Sequence, residues 1–557
     1  MDATPIPLRF GIMCRGRTLA AWQRQAVEML LALPNVTLAL LILEDAGAKG
    51  KGQPRLPLQQ VLWSSYRRML RKPAATRRVC IGDWASQVPC FTCAPQRGWS
   101  AADLHLAEQD VRAIAAYELD FVLQFAFKGV RGRILDTPRY GIWAFHHTDV
   151  SRLREAPSGF WEIYHREPVT GAALQRLTNG PERAVPLKKG YFRTKFHSYR
   201  GNIDMVYGES AYWPAALCQQ LRLDAGQLKY PPAGAARAGV AEPQLPAPWQ
   251  LLVFGWKMMS SNMQRVYGAL FLQAEFWNIG VIEQPIQAFL QPQLLQGVAI
   301  NTAPLRNRHV FYADCFGREE NGQTQIYFER YDYRTGQGTI ARLSYPWQPD
   351  EQPAPVFDLP YHLSYPYLYG PYCIPESSEA EQVARYDLRQ QPAPPAQPLL
   401  PGVPGVDSTL FEHEGRYWMM YTRLDRDPNL NLFIAYADQP EGPWQEHAQN
   451  PVLTDVRCAR PGGTPFRHEG RLYRPAQNYS RGYGSSLVIN EIVELTPTTY
   501  VERPAAELTS LHPEYSAGMH TVAAIGPNRT AIDFKRHGFS PSALQHNLRR
   551  LLKRWHP

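Results

Sequence analysis

The chain reads as a multidomain protein with two parts: a Rossmann-like α/β sheet, then an all-β five-bladed propeller. Three observations predict this. Strand and helix alternate through about the first 150 residues, a Pro/Ala/Gly-rich stretch interrupts the chain near its middle, and beyond it lie short aromatic and β-branched runs with a recurring motif. Composition agrees. Of 557 residues 44% are hydrophobic and 20% charged, enough for a folded core, while 49 prolines and 12% aromatics favour many short elements over a helical array.

Leu8–Met13 predicts a strand, and Thr18–Ala32 a helix with Leu19, Trp22, Val27, Leu30 and Leu31 at helical spacing. The continuous apolar run Val36–Leu43 suits a strand covered on both faces. Leu119–Phe127 and Gly141–Phe145 are further strands, and the alternation implies parallel strands with right-handed crossovers. The first turn, Cys14-Arg15-Gly16-Arg17, has no GxGxxG, so NAD is not expected. Between Pro231 and Pro248, 13 of 18 residues are Pro, Ala or Gly, a linker stiffened by proline. Later, His413-Glu414-Gly415-Arg416 returns as His468-Glu469-Gly470-Arg471, 55 residues on. Weaker echoes at Asn321–Phe328, Gly370–Ile374 and Pro527–Phe534 bring the units to five, one propeller blade each. The expected boundaries are an α/β domain over 1–210, a connecting segment over 211–250, the propeller over 251–535 and a basic C-terminal helix over 536–557.

No run of 18 apolar residues occurs, since Met29–Leu43 is broken by Pro34, Asn35 and Thr37, so no transmembrane helix is expected. No apolar core of a signal peptide follows Met1, and the eight scattered cysteines suit a reduced, cytoplasmic protein. Cys90 and Cys93 form the single CxxC, without the second ligand pair that zinc requires; no metal is expected. The net charge of +9 is concentrated in Arg67, Arg68, Arg71, Lys72, Arg77 and Arg78, and in Arg549, Arg550, Lys553 and Arg554. Such patches attract anions, a phosphorylated small molecule being the best functional fit. With no nucleic-acid motif beside them, nucleic acid is not an expected partner. The C-terminal helix, with Leu544, Leu548, Leu551, Leu552 and Trp555, is a candidate for peripheral membrane contact.

In the first part, His146, His147 and Asp149 lie within four residues just after a strand. Imidazole titrates near neutral pH and a carboxylate can fix its tautomer, so the group suits general acid–base work. Leu119-Asp120-Phe121-Val122-Leu123-Gln124-Phe125-Ala126, Gly141-Ile142-Trp143-Ala144-Phe145-His146 and Thr170-Gly171-Ala172-Ala173-Leu174 resemble the formyltransferase-like fold over about the first 200 residues. The resemblance implies a formyl-tetrahydrofolate donor and puts His146 on the family's histidine. Ala144 falls where the family has Asn, and Glu182 where it has Asp. Loss of such an oxyanion donor costs about a hundredfold or more in rate, so ordinary formyl transfer is in question. Glu162, in Phe160-Trp161-Glu162, is a further candidate base.

The second part carries acids at strand-like positions beside aromatics: Asp314, Glu329, Glu376, Asp407 and, more weakly, Asp533. Acids that bind hydroxyls beside apolar ring faces suit a sugar pocket, and paired carboxylates are what glycoside hydrolysis uses. His362-Leu363-Ser364-Tyr365-Pro366-Tyr367, Cys373–Ser377, Val406–Phe411, Gly442-Pro443-Trp444, Arg460–Pro465, Arg474-Pro475-Ala476-Gln477 and Gly518-Met519-His520-Thr521 resemble the five-bladed propellers of arabinanase-like and invertase-like glycoside hydrolases. They are more similar still to the N-terminal domain of plant glucosamine inositolphosphorylceramide transferases. The resemblance implies an Asp base, a second Asp and a Glu acid, best matched by Asp314, Asp407 and Glu376. It also brings His362, Arg460, Arg474, Gln477 and His520 into the ligand-binding set, the arginines and amide suiting an anionic or polyhydroxy ligand.

The leading expectation is a divergent formyl- or acyl-transferase-like enzyme acting on an amino sugar or other sugar-containing acceptor in biosynthesis, with His146 central. A propeller-centred glycoside hydrolase or glycosyl-transferring enzyme is the alternative, and a non-catalytic glycan-binding protein the third.

Overall fold

The computed structural model describes residues 7–45, 58–70, 72–97, 103–149, 157–180, 183–223, 245–268, 274–307, 309–320, 322–390, 395–542 and 544–545. The chain forms two compact units, 1–262 and 263–557. Most of the Pro/Ala/Gly linker, Glu182 and all but the start of the expected C-terminal helix lie outside the described residues.

In the first unit the strands lie in the order Ala184–Arg193, Val169–Leu177, Ile142–His146, Phe121–Gln124, Leu8–Cys14, Val36–Glu44, Cys90–Cys93. The last five run parallel and the first two are added antiparallel. Leu8–Cys14 feeds the strands on one side, and the chain then returns to lay Phe121–Gln124 on the other, so the order reverses between these two. Helices α1 (Ala21–Leu31), α2 (Leu58–Met69), α3 (Glu108–Ala115), α4 (Phe160–His165), α5 (Tyr199–Ser210), α6 (Trp213–Leu223) and α7 (Pro248–Tyr267) complete the unit, α7 running five residues into the second. Phe10, Phe121 and Trp143, side by side on adjacent strands, stack with centroids 5.4 and 4.1 Å apart. The Cys90/Cys93 pair lies on a strand, where a spacing of three turns the side chains to opposite faces; Cys90 is exposed, Cys93 is buried, and neither is in a disulfide.

The second unit is an all-β, propeller-like arrangement. Four separate four-stranded sheets are present, and Gly405–His413, Arg416–Arg423 and Asn431–Ala437 make a further antiparallel meander. The two ends of the unit share a sheet: Ala274–Ile282 pairs antiparallel with Arg529–Gly538, from Ala274 opposite Gly538 to Ile282 opposite Thr530. That pairing joins the last strand to the first and leaves neither as an open edge. The strand reaches Gly538, so the expected helix does not begin at residue 536.

The recurring His-Glu-Gly-Arg motif is a turn. Glu414 and Gly415 have φ of 52° and 72°, Glu469 and Gly470 of 49° and 75°. In each case the flanking His and Arg pair across the hairpin. Two left-handed central residues make the type I′ turn that matches strand twist, and glycine takes the second place without steric cost.

Candidate functional site

Three hairpins of the second unit carry the same irregularity near the start of their first strand. The register shifts between Ala313 and Phe316, between Ser364 and Tyr367, and between Val406 and Thr409. Within these bulges Asp314, Tyr365 and Asp407 adopt left-handed φ values of 54°, 44° and 51°. A bulge re-aims a side chain, and aspartate tolerates the left-handed region better than most residues. Both aspartates are buried, Asp407 with no exposed surface at all.

Asp407 is gripped by two residues of other strands and loops. Arg460 donates through Nε (2.5 Å) and Nη2 (3.2 Å) to its two oxygens, and Gln477 Nε2 donates to Oδ2 at 2.6 Å. The same guanidinium lies 3.6 Å from Glu376, whose oxygens accept from Ser364 (3.3 Å) and Ser378 (3.0 Å). Tyr479 donates to Gln477 at 2.9 Å and lies under the Arg460 guanidinium. Glu329 is buried, with His362 Nε2 at 3.7 Å; His362 Nδ1 accepts from the Gly338 N–H at 3.0 Å, which leaves the imidazole proton on the side of Glu329. Gly338 is required here, since a Cβ would fall 2.3 Å from Glu329 Oε1 and 2.8 Å from a backbone oxygen.

Electrostatics separates these acids. Burial raises Asp314 to about 6 against the pull of His520, and burial raises Asp407 to about 6 against Arg460. Glu329 is raised well above its usual value, because it is buried and because Asp314, Glu376 and Asp407 face it. Burial lowers His362 and keeps it neutral.

Beside this group, Asp533 takes the His520 Nδ1 at 2.5 Å and the backbone N–H groups of His520 (2.9 Å), Thr521 (3.0 Å) and Asp314 (3.1 Å). Burial opposes charge on both, yet the His520 imidazole and these donors hold Asp533 below its usual value, and the carboxylates of Asp533 and Asp314 raise His520. His520 stacks on Trp277 at 4.0 Å, and its Nε2 meets the Tyr483 hydroxyl at 3.1 Å and lies 3.7 Å from Asp314 Oδ1.

These three residues correct the expectation that the protein holds no metal. Asp314, His520 and Asp533 present ligand atoms within 4.8 Å of one another and form a candidate metal centre. The Asp314 carboxylate and the His520 imidazole suit a divalent cation, with Asp533 placed to orient the imidazole from behind. They come from positions 314, 520 and 533, and no sequence spacing links them.

Of the other residues singled out by sequence, Arg474 is elsewhere. It is buried within its own sheet, donating to Glu502 at 2.6 and 2.8 Å, to the Tyr500 hydroxyl at 2.9 Å and to the Cys458 carbonyl at 2.6 Å. In the first unit His146 ends its strand, half-buried, with the Thr148 hydroxyl on Nε2. His147 points the other way, into Trp22, Phe145 and Tyr207, stacked on Tyr207 at 3.7 Å with Nε2 on Ser210 at 3.1 Å. Burial lowers it to about 3, so it is neutral. Asp149 packs against Gly171 and Glu162 is half-buried on α4. Tyr479, Tyr483, Trp277 and Thr521 were not singled out as single residues; Tyr479 is two positions from Gln477, a spacing that on an extended strand would have flagged it.

The family described as "Glucosamine inositolphosphorylceramide transferase 1, N-terminal" matches residues 303–514. Glucosamine inositolphosphorylceramide transferase 1 of Oryza sativa subsp. indica is 32% identical over 206 residues, 35% of this chain and 28% of the relative. That of Arabidopsis thaliana is 30% identical over 207 residues, 34% and 27%. The chain thus spans little more than a quarter of the curated relatives it matches. Among solved structures, glycinamide ribonucleotide transformylase 1 of Symbiobacterium toebii covers 39% of this chain and 88% of its own at 15% identity and a TM-score of 0.26. The GH62 α-L-arabinofuranosidase of Coprinopsis cinerea covers 42% and 93% at 9% identity and 0.32. At those scores neither likeness bears on function.

Proposed function

We propose that the second unit is a five-bladed propeller whose centre performs acid–base group transfer on a sugar-containing ligand: glycosyl transfer or glycoside cleavage. The observation that carries this is the gathering of Asp314, Glu329, Glu376 and Asp407 within electrostatic reach of one guanidinium, that of Arg460, which touches Asp407 and Glu376 directly. Glu329, whose proton affinity is raised by burial and by the neighbouring carboxylates, suits a general acid, and Asp314 or Asp407, charged above about pH 6, suits the base. Arg460 supplies a cation, and the Tyr479 and Trp277 rings apolar faces, for a sugar or sugar phosphate, while Gln477 holds Asp407 in place. The matching region of the plant relatives, named for transfer of glucosamine to a phosphoinositol lipid, supports a sugar ligand. A divalent cation at Asp314 and His520 would polarise a ligand oxygen.

The competing reading, formyl- or acyl-type transfer at His146, is supported by its location where open α/β sheets bind ligands. One experiment separates the two. Thermal midpoints are measured with a panel of sugars and nucleotide sugars on the full chain and on Asp407→Asn, Glu376→Gln and His146→Ala, followed by turnover of whatever binds. The expected result is a sugar-dependent rise retained in His146→Ala, with turnover falling about a hundred- to ten-thousand-fold in the two acid variants. A rise lost only in His146→Ala would sink the propeller reading. Binding without turnover in the unaltered protein would make it a glycan-binding protein.

A further inference from the structure

Helix α7 has two apolar faces on opposite sides. Leu251, Phe254 and Ser261 are buried, and Phe254 stacks on Phe160 at 4.4 Å and meets Tyr66 of α2 at 6.3 Å. Arg166 fastens the same face, donating to Ser260 (3.1 Å) and Ser261 (2.5 Å). Trp249, Leu252, Trp256, Met259, Met263 and Val266 are instead 59, 76, 62, 50, 63 and 53% exposed. At about 100° per residue they fall within a stripe about 100° wide and about 26 Å long, away from the buried face. A row of that size left in water, two tryptophans included, marks a docking surface.

The charge around it selects the occupant. Lys257 and Arg265 lie on the buried side of α7, Lys257 donating to the Tyr164 carbonyl, so the charge on offer beside the outer face is that of α2, packed beside it with the Tyr66 hydroxyl 3.1 Å from where a Gly255 Cβ would be: neither helix carries an acid, and Arg68 and, just beyond α2, Lys72 are exposed. The half-buried acids Glu162, on α4 with Phe160, and Glu167, next to Arg166, are on the elements packed against the buried face of α7. Among the described residues no helix is long and apolar enough to cross a membrane. Straight apolar rows with amphipathic tryptophan rings and basic flanks partition into the headgroup boundary of anionic bilayers. We propose that the outer face of α7 docks the protein onto an anionic lipid surface. This does not rest on the propeller reading.

The test is flotation of the full chain with phosphatidylcholine vesicles, with and without phosphatidylserine, comparing the unaltered protein, Leu252→Ser/Trp256→Ser and Arg68→Glu/Lys72→Glu. Circular dichroism confirms the fold of each, which the exposed positions should preserve. The expected result is flotation on the phosphatidylserine vesicles, weakened by salt, about a hundredfold weaker in the serine double variant and weaker in the charge-reversed one. No flotation of the unaltered protein, or flotation indifferent to the serine substitutions, would overturn the proposal. So would light scattering that finds a dimer dissolved by those substitutions without vesicle binding, which would assign the stripe to a second copy.

Discussion

The two candidate sites contain similar groups in opposite circumstances. At the end of Ile142–His146, two histidines and an aspartate are neighbours in sequence, but the extended backbone sends them apart: His146 and Thr148 share one side, while His147 is enclosed by aromatics on the other. In the propeller-like unit, acids from positions 314 to 533 come from different strands and loops and perturb one another electrically. Closeness in sequence made a site look plausible where the fold dispersed it, and distance in sequence hid one that the fold assembled. Buried like charges persist only where a rigid frame holds them, because each would otherwise take a proton or move to water.

That contrast can be broken most sharply through its arginines. Arg460→Met leaves Asp407 buried without its counter-charge and should cost about 3–5 kcal/mol in denaturant unfolding, and abolish sugar binding. Arg474→Met strands Glu502 and should cost a similar amount, with the ligand response of the surviving folded protein intact. If the two variants lose binding alike, the assignment of Arg474 to the sheet interior is wrong.

The next effect has the opposite sign. Because Asp314 titrates near 6 in the folded chain and near 3.8 when free, its ionisation weighs against folding above about pH 4, by up to about 3 kcal/mol above pH 6. The folded state binds the extra proton, so stability falls as pH rises through this window. Asp314→Asn should therefore raise the thermal midpoint at pH 7.5 and not at pH 4, while impairing function. An unchanged difference across that range would mean that Asp314 is not the strained acid.

The smallest effect sharpens the other side of the comparison. His147→Phe keeps the ring stack on Tyr207 and forfeits one hydrogen bond to Ser210, which costs about 1 kcal/mol. Activity should be unaltered. A large loss of turnover with an unchanged midpoint would give His147 a chemical role that its enclosure denies.

Much of the fold was legible because periodicity is local. Val36–Leu43 read as a doubly covered strand and lies inside the sheet, and the recurrence of His-Glu-Gly-Arg 55 residues apart marks two hairpins of the same kind. The candidate site was legible only in its pieces. Asp314, Glu329, Glu376 and Asp407 stood out as acids beside aromatics, but nothing local said that they face one another. Arg474 and Gln477, three apart on one strand, had to point to opposite faces, and that parity alone could have separated the structural arginine from the Asp407 partner.

The sequence by itself determined which segments are strands, helices and turns, since side-chain period and left-handed turn residues are properties of a few consecutive positions. Only the tertiary structure decided which acids meet, in which direction burial and neighbours move their proton affinities, and that Asp314, His520 and Asp533 lie close enough to form a candidate metal centre. Those outcomes depend on distances between residues remote in the chain and on exclusion of water, and both arise when the closing strand pair Ala274–Ile282 and Arg529–Gly538 brings the two ends of the unit together.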